Sequence, residues 1–181
     1  MIKANNAIRT ARTLIGTPYS KLDCIALIRE VIKRTAGGDT AYRCEGTNWL
    51  WRSINNSSKY KHLVWRQESI DGARAGMLAF KRDGEDVHHV GLVTGNGTVI
   101  HSSSARGLVV ETELDDTWHL LGQHKLIEVV EKVELDPEAE ENGIENAEEK
   151  IDEKEAVTIV DSQGRKFSPV GDFRVLFGSV D

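Results

Sequence analysis

Apolar positions along the chain change their period near residue 76, and that change separates two kinds of predicted element. Over residues 4–15, Ala7, Ile8, Ala11, Leu14 and Ile15 recur at helical spacing, with Asn5 or Asn6 as the N-cap and Gly16 as the stop. A second helix runs from Cys24 to about Ala36. Its apolar face is Ile25, Ile28, Val31 and Ile32, Asp23 caps it, and Gly37-Gly38 ends it. Thr47–Ile54 reads as a third helix capped by Thr47 or Asn48, followed by a polar stretch from Asn55 to Lys61. From Gly76 the pattern is that of strands, at Met77–Lys81, Val87–Thr94, Thr98–Ser102, Leu108–Thr112 and Lys125–Val133. Helices first and strands afterwards predict an α+β domain, its N-terminal helices packed on an antiparallel sheet.

Charge alters the picture at the C-terminal end. Residues 131–155 hold 12 acidic and 3 basic side chains and no aromatic ring. Such a segment buries too little apolar surface to offset its ordering entropy and is expected to be a linker. Residues 156–181 return to strand-like material, with a strand at Ala156–Val160, a turn at Ser162-Gln163-Gly164 and a strand at Phe173–Phe177. The expected organisation is a folded domain over 1–130, an acidic linker over 131–155 and a short β segment over 156–181. Although the whole chain carries −6, residues 1–130 hold 17 basic and 14 acidic side chains. A mildly basic surface suits an anionic polymer. No basic stripe or reading motif points to nucleic acid. No run approaches the roughly 20 apolar residues of a membrane span, and Met1–Asn6 enters a helical pattern without the apolar core of a secretory signal. The expectation is synthesis in the cytoplasm.

The chemistry starts from two cysteines, Cys24 and Cys44, both read as free thiols because a disulfide scaffold carries more at regular spacing. Metalloprotease, hydrolase-elbow and P-loop motifs are absent. Cys24 falls on the first turn of its helix, where exposed amides and the dipole favour a thiolate and form part of an oxyanion hole. The histidines of Val87-His88-His89-Val90-Gly91 and Val99-Ile100-His101 lie on two strands joined by Gly95-Asn96-Gly97. One ring can take a thiol proton while the other fixes its tautomer. Alternation sets His88 on the face opposite His89.

Leu22-Asp23-Cys24-Ile25-Ala26-Leu27-Ile28 opening a helix, then Ala75-Gly76-Met77-Leu78-Ala79-Phe80, His89-Val90-Gly91-Leu92-Val93 and Val99-Ile100-His101 resemble the NlpC family of cell-wall cysteine peptidases, over about residues 4–130. The resemblance implies a papain-like fold, with Cys24 as nucleophile, His89 as general base and His101 as the residue orienting it. It also implies hydrolysis of an amide in the stem peptides of peptidoglycan through a thioester, without cofactor or metal. Asp23, Tyr19 and Trp49 are the candidate substrate-binding residues. Where the family usually has Ser-Gly after the cysteine, this chain has Ile25-Ala26. Action at the bacterial cell wall would then need an export route, which a phage or prophage origin would supply.

The hairpin gives this a geometric form. A three-residue loop at Gly95-Asn96-Gly97 sets Thr94 opposite Thr98 and makes His89 and His101 diagonal neighbours on one face. A two-residue Asn96-Gly97 turn slips the register and sends His101 to the other face. The first register is expected, because it alone assembles the three residues. Two other readings stand beside the peptidase: a wall-binding or phage-tail component that keeps the fold without turnover, and a zinc site built from Cys24, His89 and His101.

Overall fold

In the computed structural model, residues 1–52, 61–131 and the main chain of 159–160 and 166–167 are described. The chain divides into two units, Met1–Leu135 and Asp136–Asp181. The first contains α1 (Ala4–Arg12), α2 (Cys24–Arg34), α3 (Thr47–Arg52) and six strands: β1 (Leu63–Gln67), β2 (Leu78–Asp83), β3 (Asp86–Val93), β4 (Thr98–Ser103), β5 (Leu108–Glu113) and β6 (Leu120–His124). The strands form one antiparallel sheet in the order β1-β6-β2-β3-β4-β5. This is the α+β arrangement that the change of period predicts.

Alternation gives the sheet two apolar faces. Leu78, Phe80, Val90, Leu92 and Ile100 pack in one core with Ile8 and Ala11 of α1 and Leu27, Ile28 and Val31 of α2. Met77, Ala79, Val93, Val99 and Leu121 gather around Trp118 in a smaller cluster. Arg12 of α1 forks onto Glu111 of β5, Nε to Oε2 at 3.0 Å and Nη2 to Oε1 at 3.1 Å, a bidentate link between the first helix and the far edge of the sheet.

Three elements differ from their sequence patterns. α1 has no side-chain cap, and Asn5 and Asn6 lie inside it. Its start is set by tertiary contacts: the Ile2 N–H donates to Leu126 O at 2.7 Å and the Glu128 N–H to Ile2 O at 2.8 Å, so the strand-like segment before the helix is already paired. The last strand of this unit among the described residues lies at Leu120–His124 instead of Lys125–Val133; residues 125–131 make isolated bridges at Ile127 and Val130. Gly122 interrupts the apolar run there because a Cβ would stand 3.0 Å from a methyl of Leu63 and 3.2 Å from the ring of Phe80. β1 gave no sequence signal: it is an edge strand with a bulge at Val64, and Val64 and Trp65 are exposed.

In the second unit, β7 (Ile159–Val160) pairs antiparallel with β8 (Lys166–Phe167). From residue 132, the rest of the expected acidic linker, the turn at 162–164 and the strand at 173–177 lie outside the described residues, as does the polar stretch from 55 to 60.

Candidate active site

The start of α2 follows from its sequence. The Asp23 carboxylate accepts the Ala26 N–H at 2.7 Å, a cap worth about 1 kcal/mol, which fixes Cys24 as the first helical residue. The thiol is buried and free. Its Sγ lies 3.9 Å from Thr47 Oγ1 and 4.0 Å from the main-chain oxygen of His88. Burial pushes the thiol above its ordinary pKa, against the lowering effect of the Thr47 hydroxyl and the amides of Val90 and Ile25. Burial thus acts against the thiolate that the helix start favours.

On β3 the two adjacent histidines differ in exposure, at a device that simple alternation does not contain. Lys81 pairs with His89 but Arg82 pairs with Val87, so His88 is the extra residue of a β-bulge. Val87 and Val90, three positions apart, both enter the helix-side core. His88 between them is pushed out to solvent and His89 is half-buried. The bulge lies against the thiol through the His88 carbonyl, a usual use of bulges beside functional sites.

The hairpin has the three-residue register. Leu92 pairs with Ile100 and Val93 with Val99, and the Thr94 N–H donates to Thr98 O at 3.0 Å. His89 Nε2 and His101 Nδ1 stand 2.8 Å apart with their rings perpendicular. Gly91, between them in this register, must lack a side chain: a Cβ there would fall 2.6 Å from a Val99 methyl and 3.0 Å from the His101 Cβ.

The diagonal continues onto β5, where Thr112 Oγ1 lies 3.2 Å from His101 Nε2 and donates to Glu113 O at 3.4 Å. These contacts allow a chain of protons that starts at Thr112. With its hydrogen on Glu113 O, Thr112 accepts the Nε2–H of His101. The bare Nδ1 of His101 then accepts the Nε2–H of His89, which leaves His89 Nδ1 unprotonated. Trp118, 2% exposed, covers both rings, its centroid 5.4 Å from His89 and 5.3 Å from His101. Burial, reinforced by His101 and Lys81, lowers the pKa of His89 to about 3, and burial with Lys81 lowers that of His101 to about 4. Both rings are neutral at neutral pH.

Of the other candidates, Tyr19 is near enough that, after burial, the charges of Cys24 and Asp23 raise its hydroxyl pKa. Asp23 is committed to capping α2. Trp49 packs instead on His62, with centroids 5.1 Å apart. Because His89 Nε2 and His101 Nδ1 face each other, these two nitrogens cannot share an ion, and among the described residues no three His, Cys, Asp or Glu side chains are arranged to hold a metal. Sequence reasoning missed Thr47, Thr112 and Trp118. Extending the strand parity to β5 finds Thr112, whereas nothing in the local pattern marks Trp118, which reaches the pair from a loop.

Among solved structures, the chain is similar to the NlpC/p60 domain of the peptidoglycan hydrolase SagA, at 20% identity and a TM-score of 0.49 over 66% of this chain and 97% of that one. It is similar at 18% identity and the same TM-score to the peptidoglycan hydrolase RipB from Mycobacterium tuberculosis, over 66% of this chain and 63% of that one. The P60 domain of an antigen from M. avium subspecies paratuberculosis matches at 18% identity and a TM-score of 0.49, over 66% of this chain and 93% of that one. No curated protein sequence matches. The sequence profile of the NlpC/P60 family matches residues 13–124, more than half of the 181-residue chain, and this span holds the whole Cys24, His89 and His101 constellation. The chain, with its papain-like α+β domain, belongs to the NlpC/P60 family.

Proposed function

We propose that this protein is a cysteine peptidase that acts at the bacterial cell wall, hydrolysing an amide bond in peptidoglycan stem peptides. The observation that supports it best is the chain of contacts Thr112–His101–His89 beside a strand whose main chain touches the Cys24 thiol; with Thr112 accepting from His101, His89 Nδ1 is the base. Membership of the family supports the substrate class.

The resting pair is neutral, so the thiolate forms during the reaction by general-base catalysis. His89 Nδ1 takes the thiol proton as Sγ attacks the amide carbon. The carbonyl oxygen gains charge beside the first-turn amides of Cys24 and Ile25, which have no partner one turn earlier in the helix. The imidazolium returns its proton to the leaving nitrogen, and the C–N bond breaks to give a thioester and a free amine. Water, deprotonated by His89, then attacks the thioester carbon and releases the acid and the thiol. Through these steps His101 holds the tautomer of His89 and the Trp118 ring excludes water from the bond between them; these are positioning residues.

Incubation with purified peptidoglycan, followed by mass analysis of the soluble fragments, tests the reading. New amine and carboxyl ends within the stem peptides are expected, their release stopped by alkylation of Cys24 and unaffected by EDTA. Wall binding without fragment release would establish the non-catalytic reading in its place.

A further inference from the structure

A cavity of ≈ 890 Å³ runs along the outer face of α2, between the connection from α1 and the loop over residues 40–45. Around the helix axis Ala26, Glu30 and Lys33 lie roughly opposite Cys24, so this groove opens on the side of the helix turned away from the thiol. Five cations line it: Lys21 before the helix, Arg29, Lys33 and Arg34 on it, and Arg43 in the loop. Only two carboxylates do so, and one of them, Glu30, is bound to Arg34 at 2.7 Å. Arg29 is held on the carbonyl of Cys44 at 2.8 Å. Lys21, Lys33 and Arg43 make no ion pair among the described residues. Lys33 and Arg34 complement the C-terminal dipole of α2, but that does not account for Lys21 and Arg43, which come from two other segments.

The shape and the remaining lining narrow the ligand. From Ala26 to Arg34 the helix rises about 12 Å, the length of an extended peptide of about three or four residues. Leu14, Leu22 and Ala26 line the same cavity, and offer apolar contact to small aliphatic side chains that a phosphodiester chain lacks. Resting on the hydrolase reading, we infer that this groove is a second binding site, one that holds a short aliphatic wall peptide by its free carboxylates while another strand lies at Cys24. It gives a chain of net charge −6 a local cationic hold on an anionic wall.

The test uses the full-length Cys24→Ala protein and a tetrapeptide wall fragment with free carboxylates. Calorimetric titration and carbodiimide coupling, with the new amides mapped by mass spectrometry, are read together. Coupling at Lys21 and Lys33 is expected, along with a binding event that salt weakens, that amidation of the fragment abolishes, and that Lys33→Glu with Arg43→Glu weakens at least about tenfold, as two lost charge contacts predict. The milder Lys33→Gln with Arg43→Gln should lie between if reversal disturbs folding, which a melting curve reports. Equal affinity in the reversed or neutralised proteins, coupling elsewhere, or tighter binding of a phosphodiester polymer at these residues would each overturn the groove. Cleavage of the same fragments by the wild-type protein reports separately on the hydrolase reading, so failure of either is recognised.

Discussion

Two places in the main unit have nearly the same composition, a buried cysteine near two histidines and an aromatic ring, yet their rings are joined in different ways. Cys24 begins a helix and touches the strand of His89, whose ring is bonded directly to His101. Cys44 lies in a loop before α3, and its thiol contacts Gly46 O at 3.6 Å. The nearby histidines His62 and His124 are bridged by the Tyr42 hydroxyl, at 2.9 Å to His62 Nδ1 and 3.0 Å to His124 Nε2. His124 Nδ1 already accepts the Leu126 N–H at 3.2 Å, so its proton is on Nε2 and points at Tyr42, whose hydroxyl in turn donates to His62. At Cys24, in the proposed tautomer, the relay ends on a His89 nitrogen with a lone pair. At Cys44 the two ring nitrogens that face each other are spent on one hydroxyl, and His124 is fully buried. The same residue types thus give two different hydrogen-bond patterns, and only the pattern at Cys24 suits the proposed role of a base.

The comparison breaks first at the proposed nucleophile and base. Cys24→Ala and His89→Ala are each expected to lower wall hydrolysis by at least about a thousandfold with the melting temperature retained, measured as fragment release from purified peptidoglycan. Activity retained in Cys24→Ala would remove the mechanism. His101→Ala is expected to cost roughly ten- to a hundredfold in kcat with little change in KM. His101→Asn, whose carbonyl can accept the His89 N–H, should recover much of it, a rescue that a purely structural role would not show.

On the other side, Tyr42→Phe removes the hydroxyl between two buried ring nitrogens. It is expected to destabilise the fold by about 1–3 kcal/mol in urea unfolding while kcat is kept. Acid sharpens the comparison. His89, His101 and His124 have folded pKa values of about 3, 4 and 3, each lowered first by burial, against an ordinary value near 6.5. Between those values the unfolded chain binds more protons, so their neutral burial costs nothing above about pH 6.5 and stability falls as the pH drops toward 4. A melting temperature that holds steady from pH 7 to 5 would contradict the burial of these rings. The smallest effect is expected for Cys44→Ala, which should keep nearly full activity in the same fragment assay.

Much of this was legible in the sequence because local rules governed it. The Asp23 cap put Cys24 on the first turn, and strand parity through a three-residue loop put His89 and His101 on one face, as the register and their 2.8 Å contact show. Parity depends only on counting residues along paired strands, so the sequence by itself determined which side chains share a face and where the second helix starts. The tertiary structure decided what counting cannot reach. It made His88 a bulge, brought Trp118 from a loop over both rings and paired a bulged edge strand at Leu63–Gln67. It also buried the thiol, which raises its pKa. Each of these depends on which distant surfaces exclude water from one another, a property of the packed chain that no local pattern of residues contains.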